Sequence, residues 1–283
     1  ANGFSGTVGA DLPGKSRYMG TVSYTMMRQN DAYLPFTSNV LLNPPGRILI
    51  NGQPATSLAA LPFTSLNGEI NTFLSNNVVM TQITPELKSK LAYRYYNYDN
   101  DSPTQLFNQW VGTDEHLYPP NNTPKRSIPN SYAKQNGLAE LIWTPLRGLK
   151  LGAQYGSERY NWSWNDADHT AENIGKLYGV YKLNSWLTAR GSWQFSERQY
   201  GTYTNAVQSS LNGGWNPHYR NPELANRDQN KGKFQVDVVV IPTVTVSPFT
   251  GFLLRDYNTD AYGAAREIGI LKDDSWNAGV ELI

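Results

Sequence analysis

Charged side chains in this chain recur at every second position of runs that are otherwise apolar. Lys90 and Arg94 alternate with Leu91, Tyr93 and Tyr95. Arg190 and Gln194 alternate with Leu187, Ala189, Gly191, Trp193 and Phe195. Lys233 and Asp237 alternate with Phe234, Val236 and Val238, although Val239 departs from the pattern. Lys134, Glu140, Lys176 and Arg255 occupy comparable places. A period of two sends successive side chains to opposite faces of a strand. Charges gathered on one face can pair with each other, hold water or meet a charged partner. None of these roles makes or breaks a bond.

Residue types that could do covalent or metal chemistry are present, but not in spacings that support it. His116, His169 and His218 fall in loop-like segments, and none has a second ligand at an HxxxH spacing. The acidic pairs Asp99/Asp101, Asp114/Glu115, Asp166/Asp168 and Asp273/Asp274 sit mostly in loops or at strand ends, read as solvated charge. Residues 46–52, GRILING, lack the Gly-Lys-Ser/Thr ending of a phosphate loop. There is no cysteine, which excludes a disulfide framework, a Cys zinc site and a CxxCH haem attachment within the chain. The expectation is a non-enzymatic protein that binds no cofactor itself.

The composition limits the partners. The chain has 283 residues and a formal net charge of +1, with no long run of one sign, which argues against nucleic-acid binding. Aromatic residues make up 12% and charged residues only 17%. No stretch approaches the ~20 apolar residues of a spanning helix. A mean hydropathy of -0.52 does not exclude a membrane protein, because a barrel hides its apolar residues at alternate positions. The first residues, ANGFSGTVGA, lack a charged and then apolar leader pattern, so the chain is either cytosolic or has lost a leader.

The elements that must position these charges follow one scheme. Strands are expected at about 16–28, 68–83, 88–99, 131–143, 149–162, 171–183, 186–199, 231–241, 244–257 and 274–283. Short turns near Pro13-Gly14, Pro85, Pro145–Gly148, Asn184 and Pro242 alternate with long connections. Short turns at one end and long loops at the other fit an outer-membrane barrel better than a sandwich, and the strands reach the ~9–11 residues needed to cross. Small residues such as Gly20, Gly175, Gly179, Ala189 and Gly191 on the apolar face suit acyl chains rather than a packed core. Aromatic residues near strand ends, as in Tyr95-Tyr96 and Tyr160–Trp164, read as interfacial girdles. An aromatic-rich carbohydrate-binding sandwich is the alternative.

Several stretches go further: LPGKSRYMGTVSYTMMRQN (12–30), PGRILINGQPAT (45–56), SLNGEINT (65–72), LAYRYYNYD (91–99), YAKQN (132–136) and YGSERYNW (155–162). Together they resemble the MtrB/PioB family of decahaem-cytochrome-associated outer-membrane proteins, along most of the chain. The resemblance implies an all-β, transmembrane antiparallel up-and-down β-barrel in the bacterial outer membrane. It also implies a lumen that sheathes a periplasmic multihaem c-type cytochrome, with haem c carried by that partner, and electron transfer across the membrane. An extracellular multihaem cytochrome is a possible second partner. Family barrels have more strands than the ten read here, so residues 1–283 are expected to form one barrel domain or a segment of a larger barrel, with long loops at 29–67, 100–130, 200–230 and 258–273. In that setting Lys90, Arg94, Lys134, Glu140, Lys176, Arg190, Gln194, Lys233 and Asp237 are expected to face the lumen. Leu187, Trp193, Phe195, Phe234, Val236, Val238 and Trp276 are expected to face lipid. The competing functions are a substrate-diffusing porin and a secreted all-β carbohydrate-binding or hydrolase domain.

Overall fold

The computed structural model describes residues 1–38, 49–111, 124–207, 216, 218–257, 261–262, 265–266 and 268–282. Its strands, in chain order, are β1 (Asn2–Leu12), β2 (Ser16–Gln29), β3 (Leu49–Ile50), β4 (Gln53–Pro54), β5 (Gly68–Gln82), β6 (Leu87–Asn100), β7 (Leu106–Phe107), β8 (Lys125–Arg126), β9 (Tyr132–Leu146), β10 (Leu149–Trp162), β11 (His169–Lys182), β12 (Leu187–Tyr200), β13 (Arg227–Ile241), β14 (Val244–Asp256), β15 (Ala261–Tyr262), β16 (Ala265–Arg266) and β17 (Lys272–Leu282). Eleven of them form a single hydrogen-bonded sheet in the order β1-β2-β5-β6-β9-β10-β11-β12-β13-β14-β17. Long strands thus follow one another in chain order, as an up-and-down arrangement requires. The pairs β3–β4, β7–β8 and β15–β16 are separate two-stranded ribbons inside three of the long connections. Among the described residues no helix is long and apolar enough to cross a membrane.

The sheet has eleven long strands where the sequence reading counted about ten. The missed one is β1. Its residues do alternate, with Phe4, Val8 and Leu12 against Ser5, Thr7 and Asp11, but Gly3, Gly6 and Gly9 thin the signal. Four further boundaries move outward by two or more residues: β9 runs on to Leu146, and three strands start earlier. β13 begins at Arg227, β11 at His169 and β17 at Lys272. At those ends both faces are polar, for example Asp228-Gln229-Asn230, so alternation of hydropathy disappears while the hydrogen-bonded ladder continues.

By contacts the chain divides into two units. The first comprises 1–4, 24–72 and 98–131, and the second 5–23, 73–97 and 132–283. In the first unit the long connections pack on a small core of Ile50, Ala55 and Ala60, with Phe36 and Val111 against it. The β3–β4 ribbon turns at Asn51 (φ 52°) and Gly52 (φ 75°). Two central residues with positive φ make a type I′ turn, which Asn-Gly favours. Phe107 meets Phe36 and Phe63 edge-on at ring-centroid distances of 6.4 and 5.8 Å. Arg28 and Glu69 form an ion pair at 3.1 Å across β2 and β5.

In the second unit the register fixes which residues share a face. β12 and β13 pair Leu187 with Val238, Ala189 with Val236 and Gly191 with Phe234 on one side, and Arg190 with Gln235 and Ser192 with Lys233 on the other. The apolar side continues through Leu177, Ala153 and Leu141. It carries most of the large exposed apolar groups, including Trp193, Phe234 and Trp276, the last 73% exposed. The polar side is the crowded one: Ser196 and Ser247 are 0% exposed, and Glu140, Arg198 and Gln229 are buried. Side chains converge on the inside of a curved sheet and diverge on the outside, so this pattern is that of a sheet curled toward its polar face.

Candidate functional site

Position by position, the register collects the expected polar residues onto the crowded face of the second unit. Glu140 partners Gln154, Gln154 partners Lys176, Lys176 partners Gln194, and Gln194 partners Lys231. These five side chains form one row across β9 to β13. Arg190, Lys233 and Asp237 stand on the same face in β12 and β13. Lys134 joins through its partner Tyr160. In β6, Tyr93 bonds Gln135 on the apolar side, so alternation puts Lys90 and Arg94 on the polar side. Lys231 was missed in the sequence reading, although it follows by parity from Lys233.

Most carboxylates on this face are already engaged. Arg190 Nε lies 2.7 Å from Asp237 Oδ2, and the Ser247 hydroxyl and Gln235 amide donate to Asp237 Oδ1 at 2.9 and 2.8 Å. Lys134 pairs with Glu158 at 2.8 Å, Arg227 with Glu172 at 2.7 Å and Arg255 with Asp273 at 2.9 Å. Glu140 accepts from Gln154 Nε2 at 2.7 Å and from the Tyr178 hydroxyl at 2.6 Å. Tyr178 stands on β11 and Glu140 on β9, so its ring must cross β10. It does so over Gly152, where an added Cβ would fall 2.1 Å from the ring. None of Glu158, Glu172, Arg227, Gln154 or Tyr178 was singled out from sequence. Their signal was parity on strands whose apolar face was already assigned.

A long connection closes over part of the same face. Arg198 donates Nε to the Ala225 carbonyl at 3.0 Å and Nη2 to the Pro222 carbonyl at 2.5 Å. The Tyr200 N–H bonds the Asn226 side chain at 2.9 Å. Leu224 and Ala225 are buried there, and a polar hollow of about 280 Å³ lies between this segment and Glu158, Tyr160, Trp162 and Glu172. Beside it, the 163–168 and 201–205 segments pair through Asp168 N–H to Thr202 O at 3.0 Å. Burial opposes ionisation of the Asp168 carboxyl. The backbone N–H groups of Thr202 and His169 and the nearby imidazole of His169 outweigh it and hold the carboxyl below its ordinary range.

The opposite face holds Leu187, Trp193, Phe195, Phe234, Val236, Val238 and Trp276 together. From Leu187 to Phe195 this face of β12 is uncharged, roughly 27 Å along the strand at ~3.4 Å per residue. Charges on this face of the second unit, Glu197, Asp228, Asp256, Asp274, Arg159 and Lys272, all sit at the long-loop ends. Gly179, Gly191 and Gly232 leave a hollow of about 540 Å³ among Leu177, Trp193, Phe234, Phe252 and Trp276. Phe252 lies over Gly232, where an added Cβ would fall 2.3 Å from its ring. One expectation is corrected. Tyr96, Tyr132, Tyr160 and Trp162 are on the polar face, with Tyr160 stacked on Trp162 at 5.4 Å and hydrogen-bonded by Lys134. They therefore do not form an outward girdle. Two adjacent aromatics in a strand point opposite ways, so clustering in sequence does not place them on one face.

His169 lies 2.9 Å from Asp168, and the His218 N–H bonds Asn216; His116 lies outside the described residues. Among the described residues no group of three or more His, Cys, Asp or Glu could hold a metal ion. Residues 2–282 match the sequence model of the outer-membrane β-barrel porins MtrB/PioB. The chain belongs to the MtrB/PioB family. Like other MtrB/PioB members it is an outer-membrane protein, and its transmembrane elements are strands of an antiparallel β-barrel fold. Its sequence is 23% identical over 227 residues to the outer membrane protein MtrB of Shewanella baltica; the aligned part is 78% of this chain and 30% of that relative's length. The MtrB/PioB chain is also similar to OmpT, an outer membrane protein of Vibrio cholerae (10% identity, 99% of this chain, 89% of the other, TM-score 0.45). It is similar to the ferric-catecholate import receptor Fiu of E. coli (12% identity, 98% and 43%, TM-score 0.48).

Proposed function

We propose that this chain forms wall of an outer-membrane barrel that sheathes a multihaem c-type cytochrome and so supports electron transfer across the membrane. The polar face would then be the lumen wall and the apolar face the lipid surface. The reading rests on one observation: the polar wall of this family member carries fixed, mutually paired charges. Asp237, Glu158, Glu172 and Asp273 each hold a cation, and Glu140 is held by Tyr178 and Gln154. Such a wall positions and hydrates an occupant without reacting with it. Haems and their supporting chain are polar at their edges and cannot cross lipid bare. A barrel supplies its own backbone hydrogen bonds, an apolar exterior and a polar interior. The role is insulation and placement, with no enzymatic step, and haem c belongs to the partner. An extracellular multihaem cytochrome would meet the long-loop end.

The family's description as porins supports a second reading, an open barrel through which solutes diffuse. The two separate in one experiment. Full-length protein purified in detergent from its native membranes should carry c-type haem in fixed ratio to the barrel, read from the absorbance of the reduced complex. A haem-free barrel that passes solutes in vesicles would support the porin instead.

A further inference from the structure

The polar face has more cations than carboxylates to match them. Four acids are consumed by Lys134, Arg190, Arg227 and Arg255. Lys90 and Lys150 share the field of Glu140, which is already hydrogen-bonded by Tyr178 and Gln154, and Glu281 stands opposite Ser247, eight residues along β17 from Asp273. Arg94, Lys176, Lys231 and Lys233 stand on the same face with no carboxylate in ion-pair contact among the described residues. Two of them rest on aromatic rings. Lys176 Nζ is 5.7 Å from the Tyr178 ring centre, and Lys233 Nζ is 5.0 Å from that of Phe249. A ring face steadies an ammonium without neutralising it. Lys231 and Lys233 are exposed.

We propose that this strip of cations docks an acidic surface: the lumen occupant presents carboxylates, from Asp and Glu side chains or haem propionates, to Lys176, Lys231 and Lys233. The inference rests on the sheath reading and deepens it by fixing the sign of the partner's charge. Lys176 and Lys231 lie two strands apart, on the order of 10 Å, with Gln194 between them. That spacing is comparable with the Debye length of ~8 Å at physiological salt, so the cations repel each other only weakly yet act together on an anion between them. Lys231 and Lys233 are two residues apart on one strand and project to the same side. A rigid acidic surface could engage Lys176, Lys231 and Lys233 without moving the sheet. A neutral or basic occupant would leave uncompensated charge enclosed with it, which complementary interfaces avoid.

The test uses the full-length protein in its native membranes with Lys176, Lys231 and Lys233 changed together to Glu, and separately to Gln. Barrel amount and resistance to denaturation by detergent serve as assembly controls. The Glu variant should retain about tenfold less haem per barrel, and the Gln variant an intermediate amount. Should the triple Glu variant fail to assemble, Lys231→Glu alone, at an exposed side chain without an acidic partner, takes its place with a smaller loss. Emptied barrels in planar bilayers under a salt gradient give a second reading. The parent should be anion-selective, and the Glu variant should shift toward cations. Haem retained at the parental ratio in the Glu variants, or a cation-selective parent, overturns the inference. A haem-free parent that is anion-selective overturns the sheath reading and leaves the strip to small anions.

Discussion

Tyr178 reaches Glu140 only because residue 152 has no side chain. The ring lies where a Cβ at 152 would be, and its hydroxyl ends 2.6 Å from the carboxylate. Gly152→Val should expel the ring and cost about 1.5–3 kcal/mol, the worth of a hydrogen bond to a charged group. Tyr178→Phe should cost about the same in urea titrations of the protein in lipid vesicles. A Val variant far more stable than the Phe variant would remove the crossing from the account. The two faces of β12 offer a sharper contrast. Gly191 is mid-way along the uncharged run from Leu187 to Phe195, whereas Arg190 is on the other face, paired with Asp237. Gly191→Lys should cost ~2–4 kcal/mol in membrane assembly, with Leu187→Lys less because it lies nearer the turn. Arg190→Gln should cost under about 1 kcal/mol, its side chain being 57% exposed. Equal assembly yields for all three would refute the facing proposed here.

At the level of elements, strands were legible where one face is apolar and obscure where both faces are polar. The starts of β11, β13 and β17 lie beyond the uncharged band, and only the ladder of partners reveals them. Faces were legible wherever strict alternation held. Aromatic placement was not, because Tyr160 and Trp162 were read as a cluster without regard to parity. The loop segments had no period to read. Their organisation comes from groups such as Asp168, whose side chain accepts from the Thr202 N–H at 2.8 Å. Because that carboxyl is held below its ordinary range in the fold, its contribution is present above the unfolded value, near 3.9, and is lost as pH falls through the lower folded value. Protection of the Thr202 amide, its exchange relative to the intrinsic rate at the same pH, should therefore be high at neutral pH and fall below about pH 4. Asp168→Asn should show lowered protection at neutral pH and little further loss on acidification. No change at Thr202 in that variant would assign the pairing of the two segments to their backbone bonds alone.

For the molecule as a whole, all-β organisation, the apolar and polar faces of the long strands and the family were readable from alternation and from a few long motifs. The pairing on the polar face was only partly readable. Lys90, Lys134, Glu140, Lys176, Arg190, Gln194, Lys233 and Asp237 could be placed on polar faces, but which cations have acids depends on neighbours as far apart in sequence as Glu172 and Arg227. No spacing rule within a strand carries that information. The same pairing governs the salt response. The largely buried pair Arg227–Glu172, at 12% and 16% side-chain exposure, should resist ionic strength, while the proposed partner's contacts to exposed Lys231 and Lys233 should weaken with it. Haem release from the full complex on raising salt, without loss of the barrel's resistance to denaturation, is the expected outcome.

The row Glu140, Gln154, Lys176, Gln194 and Lys231 has a geometric consequence. Cross-strand partners lie at right angles to their strands. In a barrel whose strands tilt by ~35–45° the row cannot run level around the wall; it climbs like a screw thread. The acidic occupant proposed above would therefore meet Lys176 and Lys231 at two different heights along the barrel axis, so docking on both fixes its rotation about that axis.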